Sequence, residues 1–464
     1  MRRALVVIAA VLALAPAARA DVGSAGLGDP YFPREGNGGY DALHYDLALS
    51  YGPRTNRLAG VARIRARALA PLERFDLDLK GLHVRSVRVD GARAHFARGG
   101  RELRVTPAVP LAAGHVFRVA VRYRGVPRTI VGSPIAFGEP YGFLHTPDGE
   151  FVAAEPDGAY TWFPANDHPS DKATFTLRIT VPKRLRVVAN GRLVSARAHG
   201  DRRTFVWKED SPMATYLATA DSGHWLVRHG RTKGGVPVTV AVDPRVAPGR
   251  TRRTARFFLR TTRRVVDYQS SVFGPYPFST TGAIVDDARY HGQRLGFSLE
   301  TQNRPVYSGL VDSLTIAHEL AHQWFGDSVS LATWRDIWLN EGFASFAEYL
   351  WLDHTHRQTA HDSFRADYAV PAGSSFWKVT IADPGRNLLF DGAVYRRGAM
   401  TLQALREKVG DGPFFTLLRT WVAQHRHANA STADFVALAE QVTGRDLDAF
   451  FRAWLYTARK PRSW

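Results

Sequence analysis

Between His318 and Glu341 the chain reads HELAHQWFGDSVSLATWRDIWLNE, and this segment ties two helices to a single point. His318, Glu319 and His322 form an HExxH pattern, with Glu341 after eighteen intervening residues. On a helix the two histidines project from one face about one turn apart, so their nitrogens can converge on one ion. Glu319, roughly 100° round the same helix, overlooks that ion without having to bind it. The stretch Trp338 to Trp351 (WLNEGFASFAEYLW) reads as a second helix able to deliver Glu341 as third ligand. Two His and one Glu leave a fourth position open for water, as catalytic zinc requires and structural zinc does not. The expected cofactor is one Zn²⁺ per chain, with Glu319 as general base.

The bland alternative is an amphipathic helix whose histidines are satisfied in a core. A glutamate at the later spacing, inside its own helical pattern, argues against it. The chain has no cysteine, so a zinc site here must use imidazole and carboxylate, and no disulfide can form.

The two halves of the sequence differ in period. From about Tyr40 to Val227 apolar residues alternate, as in Phe117, Val119, Val121 and Tyr123 or Phe175, Leu177, Ile179 and Val181, which predicts antiparallel β structure. Asn190-Gly191 reads as a hairpin turn. After a strand at Val236 to Val242 the pattern turns helical from Thr251 to Val272 and stays mostly helical to the end. Ser431 before Ala433-Asp434 predicts a helix start, and Gly444 its stop. Trp324, Trp334, Trp338 and Trp351 are expected in the core around the metal helices. The fold class expected is α+β, with an N-terminal β-rich domain at 21–227 and a mostly helical domain at 228–464.

Residues 1–20 read as an export signal: Arg2 and Arg3, an apolar run from Ala4 to Leu14, and an A-x-A site at Ala18 to Ala20. The run is too short for a bilayer span, and no later stretch approaches the ~20 residues needed, so the expected product is secreted without a transmembrane segment. Removing residues 1–20 takes away three arginines and no acid, lowering the formal charge from +18 to +15. That basic field could weakly hold acidic cell-surface polymers. Its arginines alternate along strands, as at Arg63, Arg65 and Arg67, rather than forming a patch with interleaved aromatics, which argues against nucleic acid.

The HExxH, eighteen residues and NEGFA resemble the signature of the thermolysin-like zinc aminopeptidases, the aminopeptidase N family. YDALHYDL at 40–47, WFPANDHPSDKATF at 162–175, FGPYPF at 273–278, LETQNRP at 299–305 and VYRRGA at 394–399 agree with it in order. The resemblance implies a β-rich domain against a thermolysin-like catalytic domain, in a short form lacking the family's large C-terminal helical domain. It implies that Tyr395, in YRRG, stabilises the oxyanion. It also implies that Glu300, in GFSLET from Gly296 to Thr301, binds the substrate's free α-amino group, although Leu299 and Thr301 replace the family's methionine and asparagine. A family glutamine that assists amine binding falls on Ala153, so that role is lost or passes to a neighbour such as Glu155. Glu348, on nearly the same helix face as Glu341, either orients a ligand histidine or is an ordinary exposed carboxylate.

Peptides with a free N-terminus are therefore the expected substrates. A thermolysin-like endopeptidase, sharing the metal chemistry but lacking the amine anchor, and a non-catalytic secreted binding protein on the same fold are the competing readings. Retention of the ligands, base and tyrosine opposes the latter, and Glu300 opposes the former.

Overall fold

A computed structural model describes residues 21–135 and 138–462; the expected export signal lies outside the described residues. The first half is β-rich, as its period-two pattern predicts. Its largest sheet has eight strands in the order Arg192–His199, Arg202–Met213, Ala173–Pro182, Tyr40–Gly52, Arg57–Ala68, Val116–Gly125, His83–Val89 and Ala92–Arg93. Along Arg57–Ala68 the side chains of Arg63, Arg65 and Arg67 face solvent while Ala62, Ile64 and Ala66 are buried, so the alternation in sequence is the alternation of faces. Most of the sheet is antiparallel, but Ala173–Pro182 runs parallel to Tyr40–Gly52.

The hairpin expected at Asn190-Gly191 does not form. Arg186–Ala189 pairs with Ala220–Gly223 in a five-stranded sheet, whereas Arg192–His199 pairs with Arg202–Met213 in the eight-stranded one. The dipeptide instead carries the chain between sheets. Asn190 Nδ2 donates to the carbonyls of Leu217 and Gln302 at 2.9 and 2.8 Å, and Gly191 takes φ 73° where a Cβ would stand 2.0 Å from the Lys208 carbonyl. Buried tertiary hydrogen bonds have overridden a local turn preference.

The second half opens with a five-stranded sheet in which Pro237–Val242, Thr281–Val285 and Val306–Tyr307 are parallel neighbours. The strand Leu226–Arg231 pairs antiparallel with Pro237–Val242, so the boundary expected at 227 and 228 falls inside it. Helices follow: α1 (Thr251–Phe273), α2 (Ser313–Ala321), α3 (Trp338–His354), α4 (Ala360–Tyr368), α5 (Gly392–Val409), α6 (Asp411–Gln424) and α7 (Thr432–Thr443). The last begins with a capping box between Ser431 and Asp434 and ends at Gly444 in the left-handed region, as its sequence predicts. All four tryptophans expected around the metal helices are buried.

The halves are joined by polar contacts close to the HExxH segment. Lys172 Nζ donates to the carbonyls of Asp327 and Ser328 at 2.8 and 2.9 Å, and the Trp334 amide donates to Asp29 at 2.8 Å. Among the described residues no helix is long and apolar enough to cross a membrane.

Candidate active site

Helix α2 starts where Asp312 accepts from the amides of Leu314 and Thr315, both at 3.0 Å, satisfying two of the free N–H groups of its first turn. That start sets the phase of the helix. His318 lies within it and His322 at its C-cap, still in helical conformation. Each imidazole is fixed through Nδ1: His318 to Glu348 Oε1 at 2.8 Å, and His322 to the Phe325 carbonyl at 3.1 Å. Both Nε2 atoms are thereby turned inward, 3.3 and 3.5 Å from Glu341 Oε2. Two ligands of a tetrahedral zinc at ~2.0–2.1 Å stand about 3.3 Å apart, so the spacing suits one ion. The chemistry of the donors agrees. Burial disfavours charge on His318, yet the carboxylates of Glu341 and Glu348 outweigh it and hold its pKa well above the usual range. Burial likewise opposes ionisation of Glu341, but the histidines bring it down to about 2. The cluster thus favours positive charge at its centre.

Glu341 reaches that centre because α3 and α5 cross at two glycines. A Cβ on Gly342 would lie 2.8 Å from Cα of Gly398. One turn before Gly398, Tyr395 stacks on His318 with ring centroids 5.9 Å apart and planes at 17°. Its hydroxyl has no hydrogen-bond partner among the described residues. Burial, then the surrounding Glu341, Glu155, Glu300 and Glu319, push its pKa well above the ordinary value, so the phenol stays a donor.

Glu319 is buried within reach of His322 and Glu300, these three offering ligand atoms within 4.8 Å of one another. Burial raises its carboxyl to about 8 despite the two histidines. Glu155, Glu300 and Glu341 form a second such group. Glu155 Oε1 and Glu300 Oε1 are both buried without a partner, and burial raises both carboxyls. Clustered carboxylates that lack a donor are fitted to receive a cation with hydrogens to give. The structure thus brings together all six residues singled out in the sequence, His318, Glu319, His322, Glu341, Tyr395 and Glu300. It adds Glu155 as a full neighbour, while Ala153 lines the adjoining cavity.

One residue the sequence did not mark is Gln323. Its Nε2 donates to the Glu300 carbonyl at 3.1 Å and its Oε1 accepts from the Asn303 amide at 2.7 Å. The side chain next to His322, a candidate metal ligand, thereby fixes the segment carrying Glu300. A glutamine beside HExxH is no signal in itself, because its partners are set by the fold.

Residues 300–454 match the peptidase family M1 domain, and residues 41–217 the peptidase M1 N-terminal domain. The chain is 26% identical to glutamyl aminopeptidase of Mus musculus, a match covering 89% of this chain and 46% of the mouse protein. It is also 26% identical to probable aminopeptidase 1 of Sulfurisphaera tokodaii, covering 82% of this chain and 49% of that one. The chain spans about half the length of these curated relatives. Among solved structures, the M1 zinc metallopeptidase from Deinococcus radiodurans is similar with a TM-score of 0.83 and 30% identity, over 94% of this chain and 99% of that one. A mutant of that protein bound to a Tyr-Ser-Ala substrate gives a TM-score of 0.82 and 29% identity, over 93% and 97% of the two chains.

Proposed function

The chain belongs to the M1 family of zinc metallopeptidases, and on that premise we propose that it is an aminopeptidase, removing single residues from the free N-terminus of peptides. The observation that carries this reading is the meeting of Glu155 and Glu300, each with a buried Oε1 that has no hydrogen-bond partner, beside the His318, His322 and Glu341 donor set. A peptide's terminal ammonium, ionised below a pKa of about 7.7 to 8.0, supplies the charge and hydrogens they lack. An endopeptidase has no use for this arrangement.

In the proposed reaction Glu155 and Glu300 hold the ammonium and so bring the first peptide bond, and no other, to the metal donors. A zinc ion held by His318, His322 and Glu341 would polarise the carbonyl and acidify water. Glu319, buried beside these donors without being one of the three, takes a proton from the attacking water and delivers it to the departing amine. Tyr395 donates to the carbonyl oxygen as negative charge develops there, a stabilisation greater in the transition state than in the ground state. Glu348 keeps the His318 ring in register through Nδ1. The reading includes export, supported by the charged start, apolar run and A-x-A pattern of residues 1–20.

The test is a digestion of matched peptides with free and acetylated N-termini, with and without a chelator, followed by mass spectrometry. Stepwise loss of first residues from the free peptide, absent in the acetylated one and abolished by chelation, is expected. Internal cuts in both peptides would support the endopeptidase reading instead.

A further inference from the structure

Next to the amine-binding carboxylates the fold leaves a cavity of about 400 Å³. Glu155 and Tyr395 border it on the side of the reaction. If Glu155 and Glu300 hold the substrate's ammonium and Tyr395 faces its first carbonyl, the residue between those groups is the first one, and its side chain enters this cavity. The identity of the lining then decides which first residue is accepted.

Most of that lining is apolar: Tyr141, Phe297, Leu299 and Phe390. Ala153, small where the family has glutamine, adds width. Tyr141 presents its ring rather than its hydroxyl, which donates to Asp157 Oδ1 at 2.8 Å, and Asp157 is in turn held by Arg101 at 3.2 Å. One charged group remains besides Glu155. Glu139 lines the cavity, half-buried, with its Oε1 3.4 Å from where a Cβ on Gly296 would stand. Gly296 is solvent-exposed and four residues before Glu300, no more than about 14 Å along an extended chain. The Glu139 carboxylate therefore sits at the outer end of the cavity, and among the described residues it has no hydrogen-bond or ion-pair partner. A long side chain fits this layout best: an aliphatic stem against the aromatic walls and a cationic head at the mouth, where it keeps part of its hydration.

We propose that Glu139 makes this cavity a subsite for a cationic first residue, arginine or lysine. The proposal rests on the aminopeptidase reading and adds the substrate class to it. Glu139 acts by binding the side chain and takes no part in the chemistry, so its effect lies in discrimination between substrates. A partly solvated ion pair of this kind is worth roughly fivefold in kcat/KM and weakens with salt.

The experiment compares arginine, citrulline and leucine p-nitroanilides. Citrulline has the shape of arginine without its charge. The wild type is expected to prefer arginine over citrulline by about fivefold, with the ratio shrinking in high salt. Glu139→Gln should bring the ratio close to one while leaving leucine and citrulline turnover within about twofold, and Glu139→Lys should invert it. An unchanged ratio in both variants, or no arginine preference in the wild type, overturns the proposal. Calorimetric binding of arginine amide and citrulline amide to the Glu319→Gln protein, with Glu139 intact or changed to Gln, gives the same ratio with turnover suppressed. Failure to cleave any of the three substrates therefore counts against the aminopeptidase reading, while the subsite is still decided by binding.

Discussion

Gly342 and Gly398 face each other without side chains where α3 crosses α5: a methyl on Gly398 would lie 2.5 Å from Cα of Gly342. Glu341 precedes one of these glycines and Tyr395 lies one turn before the other, so this contact sets the distance between a proposed metal ligand and the proposed oxyanion donor. Gly398→Ala should force the helices apart. We expect a loss of about 1–3 kcal/mol in stability from overpacking and a fall of about 10- to 100-fold in turnover from misplacement of Tyr395. Thermal melts and steady-state rates on one preparation check both; an unchanged melt and rate would mean the crossing has slack.

Tyr395→Phe removes only the hydroxyl and keeps the ring that stacks on His318. Turnover should drop by roughly 10² to 10³, as for loss of one oxyanion donor, with little change in KM. Zinc content and melting temperature should stay at wild-type values. Normal turnover with a lowered melting temperature would make Tyr395 a packing residue.

Glu348→Ala takes away the partner of His318 Nδ1, held at 2.8 Å. The ring is then free to turn, and zinc affinity should weaken by about 10- to 100-fold. Competition with a chromophoric chelator measures this directly, and equal affinity in variant and wild type would leave Glu348 an ordinary helix carboxylate.

Asp221 offers a test of pH dependence away from the metal. It is fully buried, and burial lifts its carboxyl to about 8 against hydrogen bonds from the Val152 amide at 2.6 Å and the Thr219 hydroxyl at 2.9 Å. Unfolded aspartate ionises near 3.9. Between about pH 4 and 8 the folded chain thus keeps a proton that the unfolded chain has released, and stability falls as pH rises through that window. Asp221→Asn, permanently neutral, should show a smaller drop in melting temperature from pH 5 to pH 8. Parallel curves for the two proteins would show that Asp221 is ionised in the fold.

What the sequence made legible follows the range of the interactions involved. His318, Glu319 and His322 sit on one helical turn, and Glu341 on the next helix along the chain, so spacing alone announced a shared ion. Glu300 and Tyr395 were reachable only through family resemblance, because a lone acid or phenol has no local pattern. Glu348 was ambiguous because a helical face can be predicted, but the neighbour it meets cannot. Glu155 meets Glu300 from the other half of the chain, a contact that only the packing of the β-rich half against the helical half creates. At Asn190-Gly191 a strong turn signal was outvoted by hydrogen bonds to Leu217 and Gln302. Glu139 carried no motif, since the walls of a cavity are assembled from scattered segments.

The proposed role of Glu319 is that of a proton carrier beside a zinc ion it does not bind. Zinc content and turnover of wild type and Glu319→Gln, measured on the same preparations, test it most directly. About one zinc per chain is expected in both proteins, with a fall of about 10² to 10⁴ in turnover for the variant. Turnover near the wild-type rate in a variant that still holds its zinc would contradict it.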